Sequence, residues 1–294
     1  MTNRLEINWK LGGFVDEQRY YCSETPIDPE NLPAPKAILA GDVRTYVDTA
    51  IEVGKTYYVR VSSIGNGVEK LSIESVVDVG DKHFSNVVMI SNMSASVSGS
   101  LINDIKGHVF TALPGSTATI INDADAYDGK ALSVNAGIQS AASNDWKFDG
   151  KFTIEIRFKF SSHNNYGGII CSAQANAGWK GWNLLFNGSS NTPILEINAA
   201  FSLSLNKALV PGLYYEIAID RDENNIVRIY LDGVMKASGT YAALIDSLSS
   251  PLLLGIEREK NQKSVCVFDA VRITKGIARY GGAYTPTNKP YFEF

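Results

Sequence analysis

The run Phe152-Thr-Ile-Glu-Ile-Arg-Phe-Lys-Phe160 alternates without interruption. Phe152, Ile154, Ile156, Phe158 and Phe160 share one face, and Thr153, Glu155, Arg157 and Lys159 share the other. Successive side chains of a strand point to opposite faces, so this pattern specifies a β-strand with one apolar face. Burying five large apolar side chains, at ~1.5–3 kcal/mol each, makes it a central core strand and demands a second layer to cover it. The surrounding sequence supplies further strands and almost no helical periodicity: 168–173, 182–186, 194–199, 201–205, 214–220, 226–231, 234–237, 252–256 and 265–273. Asp232-Gly233 marks a type I′ hairpin turn between two of them. About a dozen short strands joined by polar turns predict a two-sheet sandwich.

With 294 residues, the chain has room for one large β-domain or for a smaller domain joined to a larger one. A hydrophobic content of 45% and a charged content of 20% exclude wholesale disorder. The net charge of −4, with acids and bases mixed along the chain, excludes nucleic acid as an expected partner. Cys22, Cys171 and Cys266 are too few and too scattered for a disulfide framework or a zinc knuckle, and read as reduced thiols. The N-terminus enters a strand-like alternation at once and lacks the pattern of a signal peptide. No apolar run approaches the ~20 residues of a spanning helix, so no membrane insertion is expected. The expectation is a protein that folds in a cytoplasm.

In the first eighty residues, Leu5, Ile7 and Trp9 alternate with Glu6, Asn8 and Lys10, and residues 18–24 form a second strand pattern. Pro26, Pro29, Pro33 and Pro35 rule out a long helix in the next connection. Residues 37–40 suit the opening of a short helix, whereas 43–47 read as a strand. Asn66-Gly67 is a hairpin turn leading into a strand over 68–79. Ile51-Glu-Val-Gly-Lys-Thr-Tyr57 resembles the tyrosine corner of fibronectin type III sandwiches, in which the Tyr hydroxyl bonds back to the preceding turn. That resemblance implies Trp9 as a core tryptophan. Since Leu5-Glu-Ile-Asn-Trp9 matches the second strand of that family, the usual first strand is either shortened or supplied by a neighbour. The polar join after residue 78 places the boundary near Lys82, giving a module over 1–82 and a larger domain over 83–294.

The closing stretch, Val271-Arg-Ile-Thr-Lys-Gly-Ile-Ala-Arg-Tyr280, ends a strand and leads into a Gly- and Tyr-containing tail, which suits a strap over the sheet edge. It resembles the closing motif of laminin-G-like, concanavalin A-type jelly-roll domains in tailed-phage virion proteins. The segments 127–134 and 141–146, the Phe-Thr-Ile-Glu strand, the hairpin over 214–234 and Leu252-Leu-Leu-Gly-Ile256 match that family in order. The resemblance implies an all-β chain: a fibronectin type III-like sandwich followed by a concanavalin A-like jelly roll.

Glucanases of this fold use acids at alternate strand positions. Here Glu155 stands between Thr153 and Arg157, residues 220–225 read as a solvated hairpin loop, and Glu257 and Glu259 are interleaved with Arg258 and Lys260. Paired carboxylates for glycoside cleavage are thus missing. His83, His108 and His163 lie in linkers or loops, without a Gly-x-Ser-x-Gly elbow, so an enzyme is not expected. No cofactor is expected. Calcium is the one metal that the resemblance raises, with Asp123, Asp125, Asp128, Asp145, Asp149 and Asp269 as candidate ligands and Asp125, Asp128 and Asp269 foremost; Ala270 stands where the family often has a second acid. The alternative for these Asp residues is local turn bonding. For sugar binding, Tyr166, Trp179, Trp182, Asn187 and Asn191 offer aromatic platforms and planar amides on loops.

The combined expectation is a tail-tip or tail-fibre virion protein, synthesised in the host bacterial cytoplasm. Its partners would be other tail proteins and host cell-surface polysaccharide, bound weakly and multiplied by avidity. The alternatives are a purely structural or decoration protein without glycan binding, and a hydrolase of capsule polysaccharide acting through Glu155. A homo-oligomer such as a trimer is compatible with a tail appendage, although no coiled coil enforces one.

Overall fold

The computed structural model describes residues 4–52, 54–247, 249–287 and 289–294. The chain divides into two compact units, Met1–Ser85 with Phe292–Phe294, and Asn86–Tyr291. Both are built from antiparallel strands.

The first unit contains β1 (Leu5–Asn8), β2 (Glu17–Ser23), β3 (Ala37–Ala40), β4 (Thr45–Asp48), β5 (Lys55–Gly65), β6 (Val68–Leu71) and β7 (Ser75–Val79). One sheet runs β3-β2-β5-β6 with β7 also on β5, and β1 pairs with β4 separately. Tyr20, Ile51, Tyr57 and Val59 form the core of this small sandwich, with Leu5, Ile7 and Tyr46 packed against them. The backbone N–H of Glu52 donates to the Tyr57 hydroxyl at 3.1 Å, so the tyrosine corner forms. Three local expectations change. Residues 37–40 are a strand, because they pair with β2 from Glu17 to Tyr20. The 68–79 run breaks into β6 and β7, both held by β5. Trp9 is half-buried and not a core residue; its indole N–H donates to Gln18 at 2.6 Å.

The second unit contains β8 (Val87–Ser91), β9 (Phe110–Ala112), β10 (Thr117–Asn122), β11 (Lys130–Asn135), β12 (Ile138–Ser140), β13 (Phe152–His163), β14 (Gly168–Ala173), β15 (Gly181–Phe186), β16 (Pro193–Ile197), β17 (Phe201–Ser204), β18 (Tyr215–Arg221), β19 (Ile226–Leu231), β20 (Val234–Thr240), β21 (Leu253–Leu254) and β22 (Ser264–Lys275). They form two sheets. One runs β10-β11-β22-β13-β18-β19-β20, with β8 also on β22; the other runs β17-β16-β15-β14-β21-β12-β9. The inward faces share one core, in which the five apolar residues of β13 meet Trp146, Trp182, Leu184, Phe186, Leu195 and Ile197. Asp232 and Gly233, at φ 48° and 79°, make the expected left-handed turn between β19 and β20.

Residues 276–287 lie across the outer face of the first of these sheets, not along its edge as the sequence suggested. Gly281 N–H donates to Asp220 at 3.0 Å, the Tyr284 hydroxyl to Glu216 at 2.6 Å, and the Tyr280 hydroxyl to Glu155. The reason is the supply of buried carboxylates on β13 and β18, each of which needs donors once removed from water.

Candidate functional site

The outer face of the β13-containing sheet holds most of the acids a hydrolase would need; Glu155 and Asp220 are buried there, whereas Glu216 borders a cleft of about 380 Å³ with Tyr127, Arg157, Tyr214 and Asp232. Glu155 is fully buried and lies opposite Arg272, whose guanidinium meets it at 2.6 Å through two nitrogens. Burial pushes this carboxyl up, but Arg272 and Arg279 outweigh that and hold it below the usual carboxylate range. Glu216 is also buried, and there burial prevails: its carboxyl is raised, with the Tyr284 and Tyr127 hydroxyls donating to it. The 220–225 segment, expected to be solvated, begins inside the protein. Asp220 and Arg221 are buried because Arg228 pairs with Asp220, while Arg221 satisfies the carbonyls of Phe148, Gly150 and Ala243. Glu257 caps its own loop by accepting the N–H groups of Glu259, Asn261 and Gln262.

The foremost calcium candidates do not converge either. Asp269 is paired with Arg157 and accepts the Tyr127 N–H, whereas Asp128 is exposed and accepts from Ser94. Asp125 is exposed, and among the described residues no group of three or more His, Cys, Asp or Glu side chains could hold a metal.

The proposed sugar-contact residues separate into three places. Trp182 is a core residue, its indole N–H donated to the Trp146 carbonyl at 3.0 Å; inward-facing alternation on β15 put it there. Tyr166, Asn187 and Asn191 lie in the loops before β14 and after β15. Tyr166 is exposed, at φ 60°, and its N–H donates to the Gly188 carbonyl at 3.0 Å. Asn187 is exposed, whereas Asn191 is a structural pin that bonds His163 at 3.0 Å and donates to the Leu209 carbonyl at 3.2 Å. Trp179 belongs to the loop at the other end of β14; it is 6% exposed and lines a cleft.

That cleft, of about 400 Å³, is lined by Trp179, Glu196, Ala199, Ala200, Phe201 and Ser202. The β16–β17 turn builds one wall. Asn198 and Ala199 take φ 51° and 52°, and the Asn198 side chain accepts the Gly181 N–H at 2.7 Å while donating to Tyr241 and Leu244. Gly181 is required there, since a Cβ would lie 2.2 Å from the Ser172 carbonyl oxygen. On the sheet beside the cleft, register aligns one outward row: Leu253, Cys171, Asn183, Glu196, Ser202. Arg258 stacks its guanidinium on the Trp179 ring, 4.8 Å from the centroid. Burial raises the Glu196 carboxyl, and the Arg258 charge opposes that rise. An aromatic ring, a carboxyl and a hydroxyl thus line one cleft, with a guanidinium stacked on the ring and an amide buried beside the carboxyl. Asn183, Glu196, Ser202 and Arg258 join the set that the sequence offers for sugar contact. Polar residues in the otherwise apolar β15 and β16 were the available signal, but only register shows that they are neighbours.

Residues 132–277 match the model of the concanavalin A-like lectin/glucanases superfamily (Laminin_G_3). The second unit carries a concanavalin A-like lectin/glucanase domain. Among solved structures, the binding domain of Paraclostridial Mosquitocidal Protein 1 is similar at 15% identity and a TM-score of 0.48, covering 69% of this chain and 50% of that one. Domain 4 of AbnA, a GH43 extracellular arabinanase from Geobacillus stearothermophilus in complex with arabinotriose, is 17% identical with a TM-score of 0.48, covering 69% and 96% respectively. The botulinum neurotoxin serotype G binding domain is 15% identical with a TM-score of 0.48, covering 66% and 49%. The chain therefore spans about half the length of the two toxin domains. No curated protein matches the sequence.

Proposed function

We propose that the lectin-like domain is a non-catalytic glycan-binding module whose contact surface is the Trp179 cleft. The observation that carries this reading is the grouping of Trp179, Glu196 and Ser202 around one cleft, with the Arg258 guanidinium stacked on the Trp179 ring. Sugars are recognised by aromatic faces against C–H surfaces and by planar polar groups against hydroxyls, and both kinds are present. The lectin/glucanase family match supports it. The non-catalytic part is supported by Glu155, whose oxygens are engaged by Arg272, Arg279 and Tyr280 beneath the strap.

Within that proposal the chain is a tail-tip or tail-fibre virion adhesin, produced in a host bacterial cytoplasm, with a fibronectin type III-like first unit that docks on other tail proteins. Support comes from the closing motif 271–280 and from the tyrosine corner at Tyr57. Many copies on one particle would raise weak single-site affinity by avidity. The test is binding of the labelled, multivalently displayed full chain to intact cells across a panel of bacterial strains. Strain-selective binding that disappears when surface polysaccharide is stripped, and that falls at least tenfold in Trp179→Ala, is the expected result. Binding that survives stripping, or that Trp179→Ala leaves unchanged, would overturn it.

A further inference from the structure

Asn183 is an anomaly in the row beside the cleft. Its side chain is fully buried, and neither Nδ2 nor Oδ1 meets a neighbour at hydrogen-bond geometry, although the amide lies close enough to the Glu196 carboxyl opposite it on β16 to favour that group's charged form. Buried amides are nearly always paired, so an orphaned one calls for a specific explanation. A second orphan lies close by: Arg258 Nε is buried without a partner. The two belong to one arrangement. Asn183 is flanked on its neighbouring strands by Cys171 and Glu196, and the Arg258 charge acts on both of those residues. The guanidinium stacks on Trp179, which shares its cleft with Glu196, the strand neighbour of Asn183.

What holds this cover is slight. The guanidinium Nη2 donates to Glu259, a half-exposed side chain, at 3.2 Å. The backbone beneath it is firm, because Glu257 ties the loop through three N–H groups. Movement of the Arg258 side chain would free the Trp179 face, beside which the Glu196 carboxyl and its neighbour Asn183 stand. An amide offers a donor and an acceptor side by side, which matches two adjacent hydroxyls of a sugar ring; the Glu196 carboxyl next to it accepts or donates a further bond.

Resting on the glycan reading above, we propose that Arg258 is a displaceable cover on Trp179, and that Asn183 is the specificity-determining residue beside it. The ligand is a neutral sugar ring with vicinal hydroxyls, which stacks on Trp179 in place of the guanidinium and satisfies the Asn183 amide.

The experiment titrates the full chain with neutral hexose and pentose trisaccharides and a hexuronate trisaccharide, following tryptophan emission, alongside thermal melting. At least one neutral trisaccharide is expected to bind saturably and shift the emission. Asn183→Leu is expected to weaken binding at least tenfold while melting at the same temperature or higher, since it removes an unpaired polar group from the interior. Arg258→Ala is expected to bind at least as tightly as the native chain. Binding lost in Trp179→Ala but kept within twofold in Asn183→Leu overturns the role of Asn183 and leaves the glycan reading standing. Asn183→Leu melting several degrees lower shows that the amide is already satisfied and overturns it too. A tenfold loss in Arg258→Ala overturns the cover. No binding of any trisaccharide, or of the hexuronate alone, overturns the inference; complete absence removes the glycan reading with it.

Discussion

Glu155 on β13 and Arg272 on β22 stand directly opposite each other, and two nitrogens of the guanidinium meet the two carboxylate oxygens at 2.6 Å inside the protein. This relationship turns the one strand acid of the hydrolase reading into part of the scaffold. Breaking a buried pair by removing one charge leaves the other unpaired, at a cost of about 3–5 kcal/mol. Glu155→Gln is therefore expected to lower stability by about 3 kcal/mol, read from the urea midpoint, and Glu155→Leu/Arg272→Met to recover most of that loss. A Glu155→Gln chain as stable as the native one would sink this account. The pair also has an acid signature. The folded carboxyl lies below its ordinary value of 4.5, so its contribution is complete above that value and is lost as pH falls through the lower folded pKa.

His108 carries the opposite sign. Its Nδ1 lies 2.5 Å from Asp104 and its Nε2 3.0 Å from Asp145, with the ring 4.6 Å from Trp146. The bond to Asp104 and the second carboxylate raise the imidazole above its ordinary 6.5, although burial opposes them. Stability from this clamp is full below pH 6.5 and is lost as pH rises through the folded value. His108→Gln should remove that decline. Urea midpoints measured from pH 6 to pH 9 on both chains provide the check; parallel curves would contradict it.

Trp182 distinguishes core from contact. Trp182→Ala empties a site filled by a fully buried ring bonded to Trp146, so a loss of about 3–5 kcal/mol is expected. The milder Trp182→Phe should be destabilised but bind cells or trisaccharides like the native chain. Selective loss of binding in a stably folded Trp182→Phe would return this residue to the contact surface.

Gly233 tests the strap. Its φ is 79°, and an added Cβ would lie 2.1 Å from the Tyr284 carbonyl oxygen, on the segment that covers Glu216. Gly233→Ala is expected to cost more than about 1 kcal/mol and to speed proteolysis within residues 276–287. An unchanged cleavage rate would show that the strap does not depend on this contact.

Much of the fold was legible in residues 152–160, in the Asp-Gly turn at 232–233 and in the Ile51–Tyr57 corner. Each is a local pattern in which side-chain period or backbone φ dictates the element regardless of distant chain. The strap was legible as irregular chain but not in its course, because its anchors, Glu155, Asp220 and Glu216, are partners far away in sequence. The sugar-contact set was only partly legible. Spacing grouped Trp179 with Trp182, Tyr166 and Asn187, but one strand period turned Trp182 inward and the length of β14 carried Tyr166 to its other end.

By itself, the sequence determined that this is an all-β chain, where its strongest strand lies and which face of that strand is apolar. Alternation and turn chemistry are properties of a few adjacent residues, so no other part of the chain can alter them. Tertiary structure alone decided that Glu155 meets Arg272, 117 positions away, and that Asn183 stands between Cys171 and Glu196. Strand order and register set those neighbours, and they follow from burying the whole core at once. A polar strand residue therefore becomes scaffold or site according to what the fold places over it.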